Sequence, residues 1–406
     1  MKKQIWIAAS TALFLSANCQ NYGLAQVSSE LVKRAQSEID NNKLTEQTLA
    51  QLQSAVQSND RDADAHLYLG LALERMGLKD EAYAQYALAV KYGPQNPDAL
   101  VALVKKEIKQ GHIPSAIQML RSGLDKFPNN PEMLLIVGDY LIQNKQMDEA
   151  RQVLETAFKV KEDIFGLPTS LGQIYLNGHQ SRAVKLATMD LEKDPKFDRA
   201  LRVRGVAYMM LGDYQRAIVD LKPVFENAPN VPAIAEGIFE SYMSCKNYKE
   251  ALRPGVFMVA FTAQPDIANA RLQDKLVKLI EKLPLDFVQT QVASIEKEID
   301  TKSPMPAFHL QLGQVYDKAG QYKLAMAQYK RAIEMDARYV QAYYQLGLDY
   351  ESKTNDWTKA LQCYQTAHFL RSWDEKIYLS YLRMLDRMHH RQNDLAQKTK
   401  SLIRGL

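Results

Sequence analysis

Apolar positions along most of this chain recur with the period of an amphipathic helix, not with the alternation of a strand. The stretch AYAQYALAVKYGP, from Ala82 to Pro94, sets Ala82, Tyr86 and Ala89 at offsets of 0, 4 and 7, one face of a helix. Far down the chain AMAQYKRAIEMDA, from Ala325 to Ala337, repeats that small–large–small face with Ala325, Tyr329 and Ala332. Twelve residues before each first alanine stands a leucine–glycine pair, Leu69-Gly70 and Leu312-Gly313. The same interval separates Gly138 from Ala150, followed by Leu154 and Ala157. It also separates Gly205 from Ala217, followed by Leu221, Val224 and the closing Pro229. Turn signals such as MGLKDE, LGDYQR and AGQYKL interrupt the periodicity where a first helix must stop. The pattern predicts pairs of antiparallel helices repeated along the chain. Small residues let the two helices of a pair approach, and large ones fill the groove to the next helix.

Pro94 and Pro128 are 34 residues apart, and a helix–turn–helix unit of that period resembles the tetratricopeptide repeat. The family pattern asks for a large residue at position 4, Leu-Gly at 7 and 8, and Tyr at 11. Ala at 20, an aromatic at 24, Ala at 27 and Pro at 32 complete it. The unit at 63–96 supplies His66, Leu69, Gly70, Ala82, Tyr86, Ala89 and Pro94. The unit at 306–339 supplies Leu312, Gly313, Tyr316, Ala325, Tyr329 and Ala332, with His309 at position 4. The unit at 340–373 supplies Tyr343, Leu346, Gly347, Tyr350, Ala360, Tyr364 and Ala367, and its turn KTNDW is one residue longer than the pattern allows. The resemblance implies an all-α, right-handed α-solenoid in which each unit buries its apolar face against its neighbours.

In that frame six units run over 63–96, 97–130, 131–164, 165–197, 198–231 and 232–265. The unit at 97–130 has Val104 in place of glycine but keeps Ala116, Leu120, Gly123 and Pro128. The sixth fits less well: Tyr242, Tyr248 and Ala251 agree, Phe239 and Pro254 do not, and Pro254 is expected to kink or restart its helix. Residues 266–305 predict a divergent helical pair around Pro284, or a joint between a six-unit and a two-unit block. Residues 26–62 predict a divergent N-terminal capping pair, fitting the frame through Leu52 and Ala55. After the two units of 306–373, EKIYLSYLRMLDRM opens a C-terminal region, 374–406, expected to be a solvating cap.

The first 25 residues stand apart from the repeat. Lys2 and Lys3 precede an apolar run from Ile5 to Ala17, and Gly23-Leu24-Ala25 offers small residues for cleavage before Gln26. This predicts a secretory signal peptide, export across the cytoplasmic membrane, and a periplasmic or extracellular mature protein with no membrane span. Cys19 raises the alternative of a lipid anchor, against which Asn18 directly before it departs from the lipoprotein pattern. Removing Lys2 and Lys3 lowers the formal charge from +4 to +2 (4 − 2), too little to argue for nucleic acid. Cys245 and Cys363 fall in different units and are expected to remain buried free thiols.

Catalytic signals are poor: no nucleophile elbow, phosphate-binding loop or zinc helix is written here. His389-His390 are adjacent, about 100° apart on a helix, and do not chelate naturally. Asp60, Asp62 and Asp64 lack the glycine and terminal glutamate of a calcium loop, which leaves helix capping. GVFMVAFTA at 255–263 is too short to cross a membrane and predicts a buried second helix. No metal or cofactor is expected. The resemblance implies a non-catalytic scaffold that holds another protein or peptide in its concave groove, lined by positions 2, 5, 9, 12 and 13 of the first helices. Those positions give Phe165, Thr169, Gln173, Leu176 and Asn177 in the fourth unit. They give Arg199, Arg202, Val206, Met209 and Met210 in the fifth, and Glu236, Glu240 and Met243 in the sixth. Two arginines beside a methionine pair suit an acidic and apolar peptide. The Lys/Asn/Arg carboxylate clamp of some family members is not found at matching positions. An accessory subunit of an envelope polysaccharide or secretion complex, and a hydrolase whose site the sequence does not reveal, remain alternatives.

Overall fold

The computed structural model describes residues 24–41, 43–262, 267–302 and 305–404, and among these every regular element is a helix. The N-terminal segment with Lys2, Lys3 and Cys19 lies outside the described residues. Contacts divide the chain into two compact units, Met1–Ile174 and Tyr175–Leu406.

The first unit begins with α1 (Leu24–Asp40) and α2 (Glu46–Ser58), the expected N-terminal pair. It continues with α3 (Ala63–Arg75), α4 (Lys79–Tyr92), α5 (Pro97–Lys109), α6 (Ile113–Lys126), α7 (Pro131–Gln143), α8 (Met147–Val160) and α9, which starts at Leu167 and ends at Tyr175. Local chemistry sets the boundaries. Asp62, Asn96 and Asn130 accept hydrogen bonds from the backbone N–H groups of Ala65 (3.0 Å), Ala99 (3.2 Å) and Met133 (2.9 Å), capping α3, α5 and α7. Proline opens α5 and α7, where its missing N–H costs nothing. First helices end in a left-handed residue. At Gly77 (φ 80°) the next N–H, of Leu78, reaches back 3.0 Å to the Leu73 carbonyl. Lys145 takes the same role at φ 63°, carrying a side chain where glycine would be relaxed.

The second unit holds α10 (Gln180–Lys193), α11 (Asp198–Met210), α12 (Tyr214–Asn227), α13 (Pro232–Ser244), α14 (Tyr248–Ala260), α15 (Ile267–Ile280), α16 (Leu285–Lys302), α17 (Pro306–Lys318), α18 (Tyr322–Met335), α19 (Val340–Ser352), α20 (Trp357–Leu370) and α21 (Glu375–Arg404). One hydrophobic core runs without a break from Ala187 to Met384. The helices of the 266–305 segment pack into that core: α15 packs on both α14 and α17, α16 packs on α14, and α14 touches α17 directly. Because helices approach it from several directions, α14 is buried all round from Pro254 to Ala260, as the apolar run GVFMVA requires. Arg253 ties α14 to α16 with two hydrogen bonds to Glu298, at 2.6 and 3.2 Å.

Close helix approach explains the glycines. A Cβ on Gly70 would stand 2.6 Å from the Tyr86 ring, on Gly313 2.4 Å from Tyr329, and on Gly347 2.7 Å from Tyr364. The sixth unit uses the same contact with the sizes exchanged. Phe239 occupies the place of the glycine and Gly255 the place of the tyrosine, with the Phe239 ring 2.9 Å from where a Gly255 Cβ would lie. That swap accounts for Phe239, which departs from the repeat pattern in sequence. Pro254 sits inside α14, which continues through it as one helix and does not restart.

The C-terminal helix α21 carries two apolar faces: Ile377 and Met384 bury themselves, while Tyr378, Leu379, Leu382 and Leu385 are 39–56% exposed. Met384 and Ile377 belong to the same core as α20, so one apolar face of α21 is used and a second is left open.

Candidate functional site

The candidate groove residues fall on both sides of the division at 174/175 and are described unit by unit. In the first unit Phe165 is in the turn before α9 and 45% exposed, Gln173 is half-buried, and Thr169 is fully buried. Thr169 therefore lines no open surface. The first helix of that repeat is only nine residues long and starts two residues late, after Gly166, so Thr169 sits on the packed side of its first turn. Nearby, Ser170 donates to Asp139 on α7 (2.7 Å) and joins consecutive first helices.

In the second unit the first helices α11, α13, α15 and α17 follow one another as a layer. A Cβ on Gly237 of α13 would lie 4.0 Å from the Met209 sulfur of α11. Gln273 of α15 donates to Gln314 of α17 (2.9 Å), and Lys318 of α17 pairs with Asp274 of α15 (2.7 Å). On α11, Arg202 and Met210 are exposed while Arg199, Val206 and Met209 are half-buried. Met243 on α13 is half-buried, and Asn177, ahead of α10, is exposed. The structure thus sets α13, which carries Met243, beside Met209 of α11. Arg204, facing the opposite way, is bound by two 2.8 Å hydrogen bonds to the buried Asp220 of α12 and belongs to the packing seam.

Glu236 and Glu240 differ from their sequence reading. Arg271 and Lys275 of α15 reach Glu236 at 2.7 and 2.8 Å, and Lys275 also pairs with Glu240. Burial of Lys275 would lower its pKa, but its hydrogen bonds to both carboxylates hold it above the usual lysine range. The two acids are neutralised within the fold, so they repel an acidic guest less than the sequence implies. The partners came from the divergent pair, where no repeat position flagged them. Only the i, i+4 spacing of Arg271 and Lys275 opposite that of Glu236 and Glu240 carried a signal.

A second constellation was also missed. Position 12 of three first helices is acidic: Glu74, Asp317 and Glu351. Tyr86 donates to Glu74 (2.9 Å) and Tyr364 to Glu351 (2.8 Å). The next repeat supplies a cation, Lys109 to Glu74 (2.8 Å) and Arg383 and Arg387 to Glu351 (3.0 and 2.7 Å). Aspartate at 317 is one methylene shorter, and the Tyr329 hydroxyl is left without a partner. Burial, then the neighbouring Asp317, pushes the Asp349 carboxyl up to about 7, and Lys353 lowers it only in part. The pairs at Glu74 and Glu351 tie each first helix to the repeat that follows it.

Other candidates resolve structurally. Asp62 caps α3, and Asp64 accepts from Asn96 (2.8 Å). His66 sits between Gln85 (2.6 Å) and the Asp60 carbonyl (3.0 Å), and His309 between Gln328 (2.7 Å) and Asp300 (3.1 Å). His390 reaches Asp386 at 3.4 Å within α21. Cys245 and Cys363 are free and only half-buried, against the full burial expected; burial nonetheless pushes the Cys363 thiol up to about 11. No described helix is long and apolar enough to cross a membrane.

Known proteins place this architecture. Tetratricopeptide-repeat family models match residues 32–97, 80–139 and 107–163, and a TPR repeat model matches 313–353. Tetratricopeptide repeat protein 1 of Schizosaccharomyces pombe is 27% identical over 136 residues, 30% of this chain and 13% of that protein. The CTR9 homolog of Arabidopsis thaliana is 19% identical over 347 residues, 83% of this chain and 31% of that protein. The chain thus spans less than a third of the length of either curated relative. A human IFIT1 dimer solved with PPP-AAAA aligns over 89% of this chain and 85% of its own at 14% identity, with a TM-score of 0.46. With the glycine–tyrosine contacts recurring at the family's own positions, the chain belongs to the tetratricopeptide-repeat family.

Proposed function

We propose that the chain is a binding scaffold, not an enzyme, and that the first-helix layer around α11 and α13 holds an acidic, partly apolar segment of another protein. Tetratricopeptide repeats suggest a protein-interaction role, and the α11 surface gives it a chemistry. The observation that carries the reading is the pairing of Glu236 and Glu240 with Arg271 and Lys275, beside the exposed Arg202 and Met210. Intramolecular pairing removes the acids that would oppose an acidic guest, while Arg199 and Arg202 orient it and Met209, Met210 and Met243 adapt to its apolar side chains. The probe is a set of fluorescent peptides alternating glutamate with leucine or methionine, followed by anisotropy. Arg199→Glu with Arg202→Glu should weaken binding by tenfold or more at unchanged circular dichroism, about 1.4 kcal/mol per tenfold. Undiminished binding by the folded double variant would move the site elsewhere.

The setting we propose is the cell envelope, with the mature chain beginning near Gln26. Lys2, Lys3 and the short apolar run from Ile5 to Ala17 support export. N-terminal sequencing of protein recovered from outside the cytoplasm should read from Gln26; an acylated Cys19 at the terminus would make it a lipoprotein instead.

A further inference from the structure

We propose that the open face of α21 is a homodimer interface, formed with α21 of a second copy in antiparallel register about Leu382. The inference is independent of the peptide groove and starts from the repeat itself. Counted from the first helical residue, α17 and α21 can be compared position by position. At the third and tenth positions, Phe308 and Val315 in α17 are buried, and so are Ile377 and Met384 in α21. This is the face that packs on the preceding repeat. At the fourth, eighth and eleventh positions, His309, Gly313 and Tyr316 in α17 are buried as well. The second helix of the same repeat lies over them: His309 meets Gln328 of α18 at 2.7 Å, and Gly313 lies under the Tyr329 ring. The matching residues of α21 are Tyr378, Leu382 and Leu385, and they are 43%, 40% and 39% exposed. In this position the chain does not turn back. It continues as one helix of 30 residues. Among the described residues α21 packs on α20, and no helix lies on it as α18 lies on α17.

The face is self-complementary under a two-fold axis through Leu382. At about 100° per residue, Tyr378, Leu379, Leu382 and Leu385 lie within about 60° of Leu382 on the helix surface. Glu375, Asp386 and His389 fall in the same sector at its two ends. Antiparallel pairing sets Leu382 against its own copy and Leu379 against Leu385. It also sets Tyr378 against Asp386, a hydroxyl donor against a carboxylate, and Glu375 against His389, an acid against a base. Every polar group on the stripe meets a complementary one, and every leucine meets a leucine, which is what an isologous interface requires. Leucine at the eighth position, where most repeats carry glycine, suits interdigitation between two equal helices better than the close approach of a tyrosine-bearing second helix.

The test uses the full chain. Sedimentation equilibrium should give a dimer for the unaltered protein and a monomer for Leu382→Glu, with unchanged circular dichroism because Leu382 is 40% exposed and not one of the buried core residues. Register is tested by charge exchange. Leu379→Glu with Leu385→Glu should be monomeric alone, as should Leu379→Lys with Leu385→Lys, and mixing the two should restore a one-to-one dimer. Should any of these variants unfold, L382C supplies the readout: its thiols meet on the axis and should crosslink to a covalent dimer under mild oxidation, above the background of a chain without that substitution. A monomeric unaltered protein, a dimer that survives Leu382→Glu, a mixture that stays monomeric, or L382C that fails to crosslink overturns the proposal. Protection of Tyr378 and Leu382 only when a different protein is added would assign the face to that partner instead and overturn it equally.

Discussion

The same substitution, glycine to alanine, should have opposite signs at two buried helix positions of the second unit. At Gly313 the new Cβ would sit 2.4, 2.6 and 3.1 Å from three atoms of the Tyr329 ring. That ring is wholly buried, so it cannot swing into solvent and α17 and α18 must part instead. Overpacking of this kind costs about 1–3 kcal/mol, and alanine's better helix propensity returns about 1 kcal/mol. A net loss of about 1–2 kcal/mol follows. At Gly237 the nearest atoms to the new Cβ are Leu221 Cδ1 at 3.5 Å and the Met209 sulfur at 4.0 Å, both ordinary contacts. Only the propensity term remains, so Gly237→Ala should stabilise by about 0.5–1 kcal/mol. Urea denaturation followed by far-ultraviolet circular dichroism measures both on the same transition. Gly70→Ala and Gly347→Ala, facing Tyr86 and Tyr364 at 2.6 and 2.7 Å, should reproduce the Gly313 loss. If Gly237→Ala costs as much as Gly313→Ala, close helix approach is not what selects glycine in these repeats.

Two further predictions concern pH. The Asp349 carboxyl, raised from 3.8 to about 7 in the folded chain, binds its proton more tightly than in the unfolded chain. Its contribution is therefore full below about pH 4 and lost as pH rises through 7, so Asp349→Asn should gain on the order of 2 kcal/mol over the parent at pH 8.5 and nothing at pH 4, read from melting curves; equal pH profiles would exclude a buried acid pair there. Glu298 has the opposite sign: the Arg253 hydrogen bond, set against burial, lowers it to about 2, so its stabilisation is present above about 4.5 and lost as pH falls through 2. Screened by solvent, Glu298→Gln should cost about 1 kcal/mol at pH 7, with the gap to the parent narrowing steadily as pH falls; a constant gap would assign the loss to packing.

Much of the fold was legible in the sequence because the repeat is a local code. Ala82, Tyr86 and Ala89 declare one helix face, Gly70 declares the contact across the turn, and Asp62 declares where a helix begins. Each depends on neighbours within one 34-residue unit, so spacing alone reveals it. Contacts that depart from the repeat pattern were not legible. The exchange of Phe239 and Gly255 conserves the volume of the contact while breaking its pattern, and only coordinates show that the two residues meet. The pairing of Glu236 and Glu240 with Arg271 and Lys275 spans a segment without repeat frame, and it changed the charge of the candidate groove. The last helix makes the same point from the other side. Periodicity in EKIYLSYLRMLDRM fixes an amphipathic helix, but two apolar stripes are written on it. Whether the second is covered depends on what packs beside it, which is a property of tertiary structure: Ile377 and Met384 join the core with α20, while Leu382 stays 40% exposed.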